Sequence, residues 1–345
     1  MVVSKQSVEQ SNMKLSRNDP CSCGSGKKYK RCCMDSIAKQ SAQVADDIAQ
    51  VLAVSRNLSL DELNLVAQRK IEQRNHQPHA DFCGLTSAQM QNWLYAPLDE
   101  LIDVTINTPS DLSGSPVMRY LALILDEAVQ QGGSFKATAK GNLPAKLVKQ
   151  ASALLPEFAV AEFETVPSIS EYMGSNEDKF NALHYTRVLA ELAGIIYHKS
   201  GSYHVKKAAQ KHYAEQGLQA FFMPMLSAAI KQYNWAYLDS WNDQVDLRTF
   251  WLFMLWRLQS HGSANRLSEE VACAFPTLLD QLPIEEYFSP EQLLSSLIKS
   301  RFIKRFLQFW GFVTVDRKSA FYSKEDPGRA VKMQPLFRAS FVFAV

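Results

Sequence analysis

The sequence predicts a mostly α-helical chain with short β-hairpins, in which a small metal-binding knuckle precedes a long helical body. Three observations carry that expectation. Four of the six cysteines crowd into residues 21–33, apolar residues recur at helical spacing through most of the remaining chain, and two helices each run into a glycine, a short extended stretch and a turn. With 345 residues, 46% of them hydrophobic, the chain is long enough to bury its cores without disulfides. Its longest uncharged stretch, Gln216 to Ile230, is interrupted by Gly217 and Pro224 and falls short of the roughly 18 apolar residues of a membrane span. The first twenty residues lack an apolar run followed by a cleavage site, so a cytoplasmic, reducing location is expected, where clustered cysteines bind metal more often than they form disulfides.

The cluster reads "NDPCSCGSGKKYKRCCMD": Cys21 and Cys23, eight intervening residues, then Cys32 and Cys33. Zinc takes four soft ligands at tetrahedral corners, and two cysteine pairs brought together by a turn supply them. Gly24 and Gly26 are free to adopt positive φ where the backbone bends around the thiolates. Arg17, Lys27, Lys28, Lys30 and Arg31 favour ionised thiols and offset the negative charge of a four-thiolate centre. A closed shell leaves no position for water or substrate, so the ion is expected to be structural, with a metal-free redox cluster as the alternative state. Residues 1–40 carry eight basic against three acidic side chains, a surplus of five, and the rest of the chain is slightly acidic given the total of +2.

"NDPCSCGSGKKYKRCC" closely resembles the SEC-C motif, the metal-binding tail of the bacterial preprotein translocase ATPase and of many otherwise unrelated bacterial proteins. The resemblance implies one zinc ion on Cys21, Cys23, Cys32 and Cys33, with iron as the alternative ion that some members carry, and a docking role: in the translocase the tail binds an export chaperone and contacts ribosomes. It divides the N-terminus into a disordered tail, 1–15, and a zinc-binding module, 16–36.

Residues 37–110 are expected to form a helical linker or subdomain. "SIAKQSAQVADDIAQVLAVS" has helical spacing; a second helix opens at Ser59 with Glu62 three residues on, a capping box, and breaks at "NHQPHADFCG"; a third starts at Thr86 and stops before Pro97. Cys83 and Cys273 stand among apolar neighbours and are expected in the core, while His76, His79 and Cys83 are too few for a second metal site.

From Ser115 the pattern is helix with Pro116 near its start, a Gly132-Gly133 stop, the extended "SFK", a helix opened by Pro144, then helix, strand Ile195 to His198, a turn at Lys199, strand Tyr203 to Val205, and helix. "FLQFWGFVT" aligns with "LAELAGIIY", each glycine (Gly311 and Gly194) ending a helix as its left-handed cap, with "DRKS" turning into a second strand. Helices followed by a two-stranded wing describe tandem winged-helix-like units, 115–215 and 216–345. "KATAKGNLPAKLV", "LAGIIYHKSGSYHV", "YNWAYLDSW" and "PLFRASFVF" look like segments of uncharacterised bacterial proteins that also carry SEC-C motifs, and imply the same architecture for residues 115–345.

No phosphate loop, nucleophile elbow or open metal site occurs; "GSGKK" lacks the spacing and the Ser or Thr of a phosphate-binding loop, and no enzyme is expected. The expectation is an adaptor whose zinc module recognises a protein partner, chaperone-like or ribosome-associated. The alternative is a nucleic-acid-binding regulator, with Lys136, Lys140, Lys146 and Lys149, then Lys199, Lys206, Lys207 and Lys211, then Lys299, Arg301, Lys304 and Arg305 as phosphate contacts, or else as solvated helix faces. Phe250, Phe253 and Trp256 read as a core stripe; Trp235, Tyr237 and Trp241 are expected between the two units.

Overall fold

The computed structural model describes residues 59–159, 176–237, 245–283, 287–315 and 331–345. Helix starts fall where the sequence supplies a cap. In α1, Leu60–Asn75, the Ser59 hydroxyl accepts from the Glu62 N–H while the Glu62 carboxylate accepts from the Ser59 N–H. Thr86 and Gln89 make the same box for α2, Ser87–Tyr95. Each box satisfies two main-chain N–H groups that the first turn leaves without partners.

The middle of the chain has the order helix, strand, helix, helix, hairpin. Helix α3, Pro116–Gln130, starts on the Ser115 cap with proline at its first turn. Strand β1, Val104–Ile106, precedes it, and β2, Ser134–Lys136, comes after the Gly132-Gly133 stop. Helices α4, Ala145–Leu154, and α5, Asn181–Leu192, lead to β3, Ile196–Lys199, and β4, Ser202–Val205. The sheet order is β2-β4-β3, antiparallel throughout, so the hairpin's second strand lies between its first and β2. Helices α6, Lys207–Gln216, and α7, Gln219–Lys231, complete this half.

The order recurs without the strand after its first helix. Helices α8, Trp251–His261, and α9, Ala264–Ala274, lead to α10, Pro290–Leu297, which continues as an eleven-residue π-helical segment, Ile298–Gln308. Strands β5, Val313–Val315, and β6, Val331–Met333, then pair antiparallel, and the short α11, Pro335–Ser340, comes next. The partner of β5 thus lies further along the chain than the "DRKS" turn suggested, and that turn is outside the described residues.

Main-chain bonds establish the repeat. Gly194 and Gly311 have φ of 68° and 77°, and their N–H groups bond Glu191 O at 2.9 Å and Gln308 O at 3.0 Å. The next residues, Ile195 and Phe312, donate to Ala190 O and Leu307 O, and accept from Lys206 and Gln334, the residues that start α6 and α11. These are equivalent positions in two copies of one supersecondary unit.

The two copies share a core. Trp310 is fully buried, stands edge-on to Phe222 of α7, and donates its indole N–H to the Tyr185 hydroxyl of α5 at 3.1 Å. Trp235 lies in the segment after α7, 5% exposed, with its ring on Phe302 and Phe306, whereas Tyr237 stacks on His184 of the first copy. The linker aromatics therefore pack between the copies as expected, with Trp241 outside the described residues. The Phe250, Phe253, Trp256 stripe is buried or half-buried in the same core. At the far end the chain closes on itself: β1 pairs antiparallel with β7, Phe341–Phe343, and Trp93 of α2 packs on Trp256 and Phe343.

Candidate functional site

Cys21, Cys23, Cys32 and Cys33 lie outside the described residues, as do the expected tail, 1–15, the module, 16–36, and the helix from Ile37. The structure places none of these four ligands. Among the described residues no group of three or more His, Cys, Asp or Glu side chains could hold a metal ion. Cys83 is half-buried against the core, but Cys273, expected to be buried, is exposed and donates weakly to Asp81 at 3.7 Å. Leu267, Val271 and Ala274 take the buried face of α9, and Cys273 falls off it, a direction that the apolar neighbours in sequence do not reveal. Partial burial pushes both thiols up, and for Cys273 the nearby Asp81 carboxylate adds to it, so neither is an activated nucleophile.

The basic residues divide into two kinds. Arg301 and Arg305, expected on the surface of the second copy, are 1% and 8% exposed. Arg301 donates to Val245 O and Arg305 to Tyr237 O, both at 2.8 Å, so they fasten the linker between the copies. Their spacing puts both on the inward face of the π-helical segment, and a count of charges along the sequence carries no such direction.

In the first copy Lys136, Lys140, Lys146, Lys149, Lys199, Lys206, Lys207 and Lys211 are all exposed. Lys146 reaches Glu127 at 3.3 Å, and Lys211 reaches Glu215 at 3.9 Å. Strand alternation sorts the sheet into two faces. Phe135, Tyr203, Val205 and Ile196 turn inward and are buried. The register sets Ser134, His204 and Tyr197 in one outward row, and Lys136, Ser202 and Lys199 in the next. Tyr197, 42% exposed, lies nearly parallel to the His204 ring, with centroids 5.1 Å apart and planes 17° apart.

Helix α5, which leads into this sheet, is held from beneath. Glu177 is wholly buried; its carboxylate meets Arg187 Nε at 2.5 Å and His184 Nδ1 at 2.9 Å, and accepts from the Leu143 N–H. Burial alone would raise this carboxyl, but the His184, Arg187 and Leu143 contacts outweigh it and hold it below the usual carboxylate range. Arg187 also sits over the Tyr203 ring at 5.7 Å and pairs with Glu191 at 3.0 Å. Asn181 through Thr186, Leu189 and Ala190 are buried, so little of α5 faces solvent. Sequence reasoning missed Glu177; the one trace of it was a carboxylate shortly before an apolar helix carrying His184 and Arg187 at adjacent-turn spacing.

A cleft of about 480 Å³ lies between the copies, lined by Ser110, Arg119, Glu157, Gln308, Thr314 and Gln334 among others. Its lining contains no cysteine or histidine. No described helix is long and apolar enough to cross a membrane.

Likeness to known proteins lies at the N-terminus. The SEC-C motif family matches residues 17–35, so the chain carries a SEC-C motif, spanning all four cysteines. The protein translocase subunit SecA of Wolinella succinogenes is 68% identical over 31 residues, 9% of this chain and 4% of that protein. SecA of Elusimicrobium minutum is 78% identical over 23 residues, 7% and 3% of the respective chains. A UPF0225 protein of Geobacter sulfurreducens is 80% identical over 20 residues, 6% and 12%. The chain therefore covers only these small fractions of the curated relatives it matches, and the likeness is that of a shared module. No solved structure matches the chain.

Proposed function

We propose that this chain is a zinc-dependent recognition protein of the cytoplasm, without catalysis of its own, in which the SEC-C module docks a protein or ribosomal partner and the helical body presents a second surface. The observation that carries this reading is the motif at residues 17–35, shared with the SecA and UPF0225 proteins, which differ from one another in length and share this stretch with the chain. Four cysteine sulfurs are the donor set a structural zinc ion takes, with iron as the alternative ion. Cys21, Cys23, Cys32 and Cys33 would hold it, and the ion would supply cross-linking of a segment too short to fold on a core of its own. The order helix, helix, helix, hairpin of residues 116–205, with a strand after its first helix, recurs without that strand in the second half and supports reading the body as two winged-helix units.

The alternative, a regulator that grips duplex DNA through the third helix of each unit, is weakened by burial. A recognition helix needs a free face for the major groove. Here α5 is packed on most of its surface, and the segment Ile298–Gln308 turns both arginines inward.

The test is affinity capture with the immobilised full-length chain, wild type against Cys32→Ser/Cys33→Ser. The double variant is expected to lose its metal and with it a defined subset of bound proteins. An unchanged partner set on a variant shown to be metal-free would overturn the docking role.

A further inference from the structure

We infer that the outer face of the β2-β4-β3 sheet binds single-stranded nucleic acid, independently of the N-terminal metal module. Charge is the first reason. Residues 132–156 and 192–214, which build this sheet and its flanks, contain eight lysines and not one aspartate or glutamate. Lys146 and Lys211 pair with Glu127 and Glu215 from outside these stretches, whereas Lys136 and Lys199, in the outward row of the sheet, have no acidic partner among the described residues, an arrangement suited to a polyanion.

The shape of the face agrees with its charge. A sheet side that packs on nothing normally carries small polar residues or paired charges. This one carries an aromatic ring, Tyr197, lying flat on a second ring, His204, so that a π surface is held in one orientation and left open to solvent. Two residues along each strand, Lys136 and Lys199 flank Ser202. The aromatic row and the lysine row are about 7 Å apart along the strands, and the two lysines about 10 Å apart across them. That separation is comparable to the reach from a base to its own phosphate. Stacking a base on an exposed aromatic while lysines track the backbone is how sequence-tolerant single-strand sites work. A duplex hides its bases' faces in the stack, so the Tyr197–His204 platform has nothing to offer it.

The platform is also rigid. Beneath the sheet, Tyr203 donates to Gly141 O at 2.5 Å, and the Glu177–Arg187 pair underpins the Tyr203 ring. The strands that carry the two rings are thus anchored from beneath, and the rings stack on each other above them, which lowers the ordering cost of binding.

The test is fluorescence anisotropy on the full chain with a labelled mixed-sequence oligonucleotide of about 20 nucleotides, longer than a typical single-strand site, as RNA, as DNA and as DNA duplex. The basic N-terminal segment also attracts polyanions, so the decisive readings are differences made at the sheet. Tyr197→Ala should weaken single-strand binding about tenfold, and Tyr197→Phe should leave it near wild type, because the ring face and not the hydroxyl is used. Lys136→Gln/Lys199→Gln should flatten the slope of log K against log salt by about 1.4, the share of two phosphate contacts on a single strand. A preference for RNA or for DNA identifies the natural strand and upholds the inference either way. Tighter binding of the duplex, binding unchanged in Tyr197→Ala, or no binding of any probe at about 50 mM salt overturns it.

Discussion

Gly194 and Gly311 occupy the same position in the two copies, yet alanine should be tolerated very differently at each. Both have positive φ, where a Cβ crowds the neighbouring carbonyl and costs roughly 1–2 kcal/mol. Beyond that shared penalty their surroundings diverge. A Cβ on Gly194 would meet the Lys206 ammonium at 2.8 Å, the far end of an exposed side chain that swings aside. A Cβ on Gly311 would overlap the main-chain carbonyl of Gly114, the residue before the Ser115 cap of α3. That carbonyl moves only if the cap and the start of α3 move with it, an overpacking that adds about 1–3 kcal/mol. Gly194→Ala is therefore expected to lose about 1–2 kcal/mol and Gly311→Ala about 2–5 kcal/mol. Urea unfolding monitored by circular dichroism reads both, the midpoints shifting at constant slope. Equal losses, or a milder effect at Gly311, would refute both the close contact between the copies and the difference expected from it.

Buried side chains give three further outcomes. Glu177→Ala removes a buried acceptor from Arg187, His184 and the Leu143 N–H, and should cost about 3–5 kcal/mol in thermal or urea unfolding; a loss under about 1 kcal/mol would mean water takes its place. Glu270 is pushed up by burial but brought down to about 2 by Arg257 and His261, from an ordinary 4.5. Its folded value is depressed, so its contribution is complete above pH 4.5 and is lost as pH falls toward 2. After screening by solvent on the exposed Arg266 side that contribution is about 1–2 kcal/mol, and wild type and Glu270→Gln should converge over this range in urea titrations at stepped pH; a gap that stays constant down to about pH 3 contradicts it. Trp235→Ala should cost about 3–5 kcal/mol and expose the Phe302 and Phe306 rings, read as a rise in dye binding to apolar surface; unchanged dye binding and stability would contradict the packing between the copies.

Local chemistry was legible in the sequence, and long-range direction was not. The capping boxes at Ser59 and Thr86, the left-handed glycines and the first hairpin are written in neighbouring residues, and the hairpin strands moved by only one residue, to Ile196–Lys199 and Ser202–Val205. The β1-β7 pairing was invisible because three-residue strands have no periodicity to read and the two partners, Val104–Ile106 and Phe341–Phe343, stand far apart in the chain. Helix α7 was missed as well. Its run of apolar residues lacks a polar face, and Pro224 sits inside it, against the usual rule for helix interiors. Of the candidate site, the exposed lysines around β3 and β4 were read from the sequence, but the pairing that sets them beside the stacked Tyr197 and His204 needed the sheet register. Arg301 and Arg305 show the converse: charges that look available along the chain are spent inside it.

Recognition, on the proposed reading, depends on four N-terminal cysteines holding one structural ion. Element-resolved mass spectrometry of the purified full-length chain tests this most directly. One zinc per chain is expected, absent from Cys32→Ser/Cys33→Ser while the body's unfolding midpoint stays unchanged. A wild-type chain purified without bound metal, or a double variant that keeps its full complement, would contradict it.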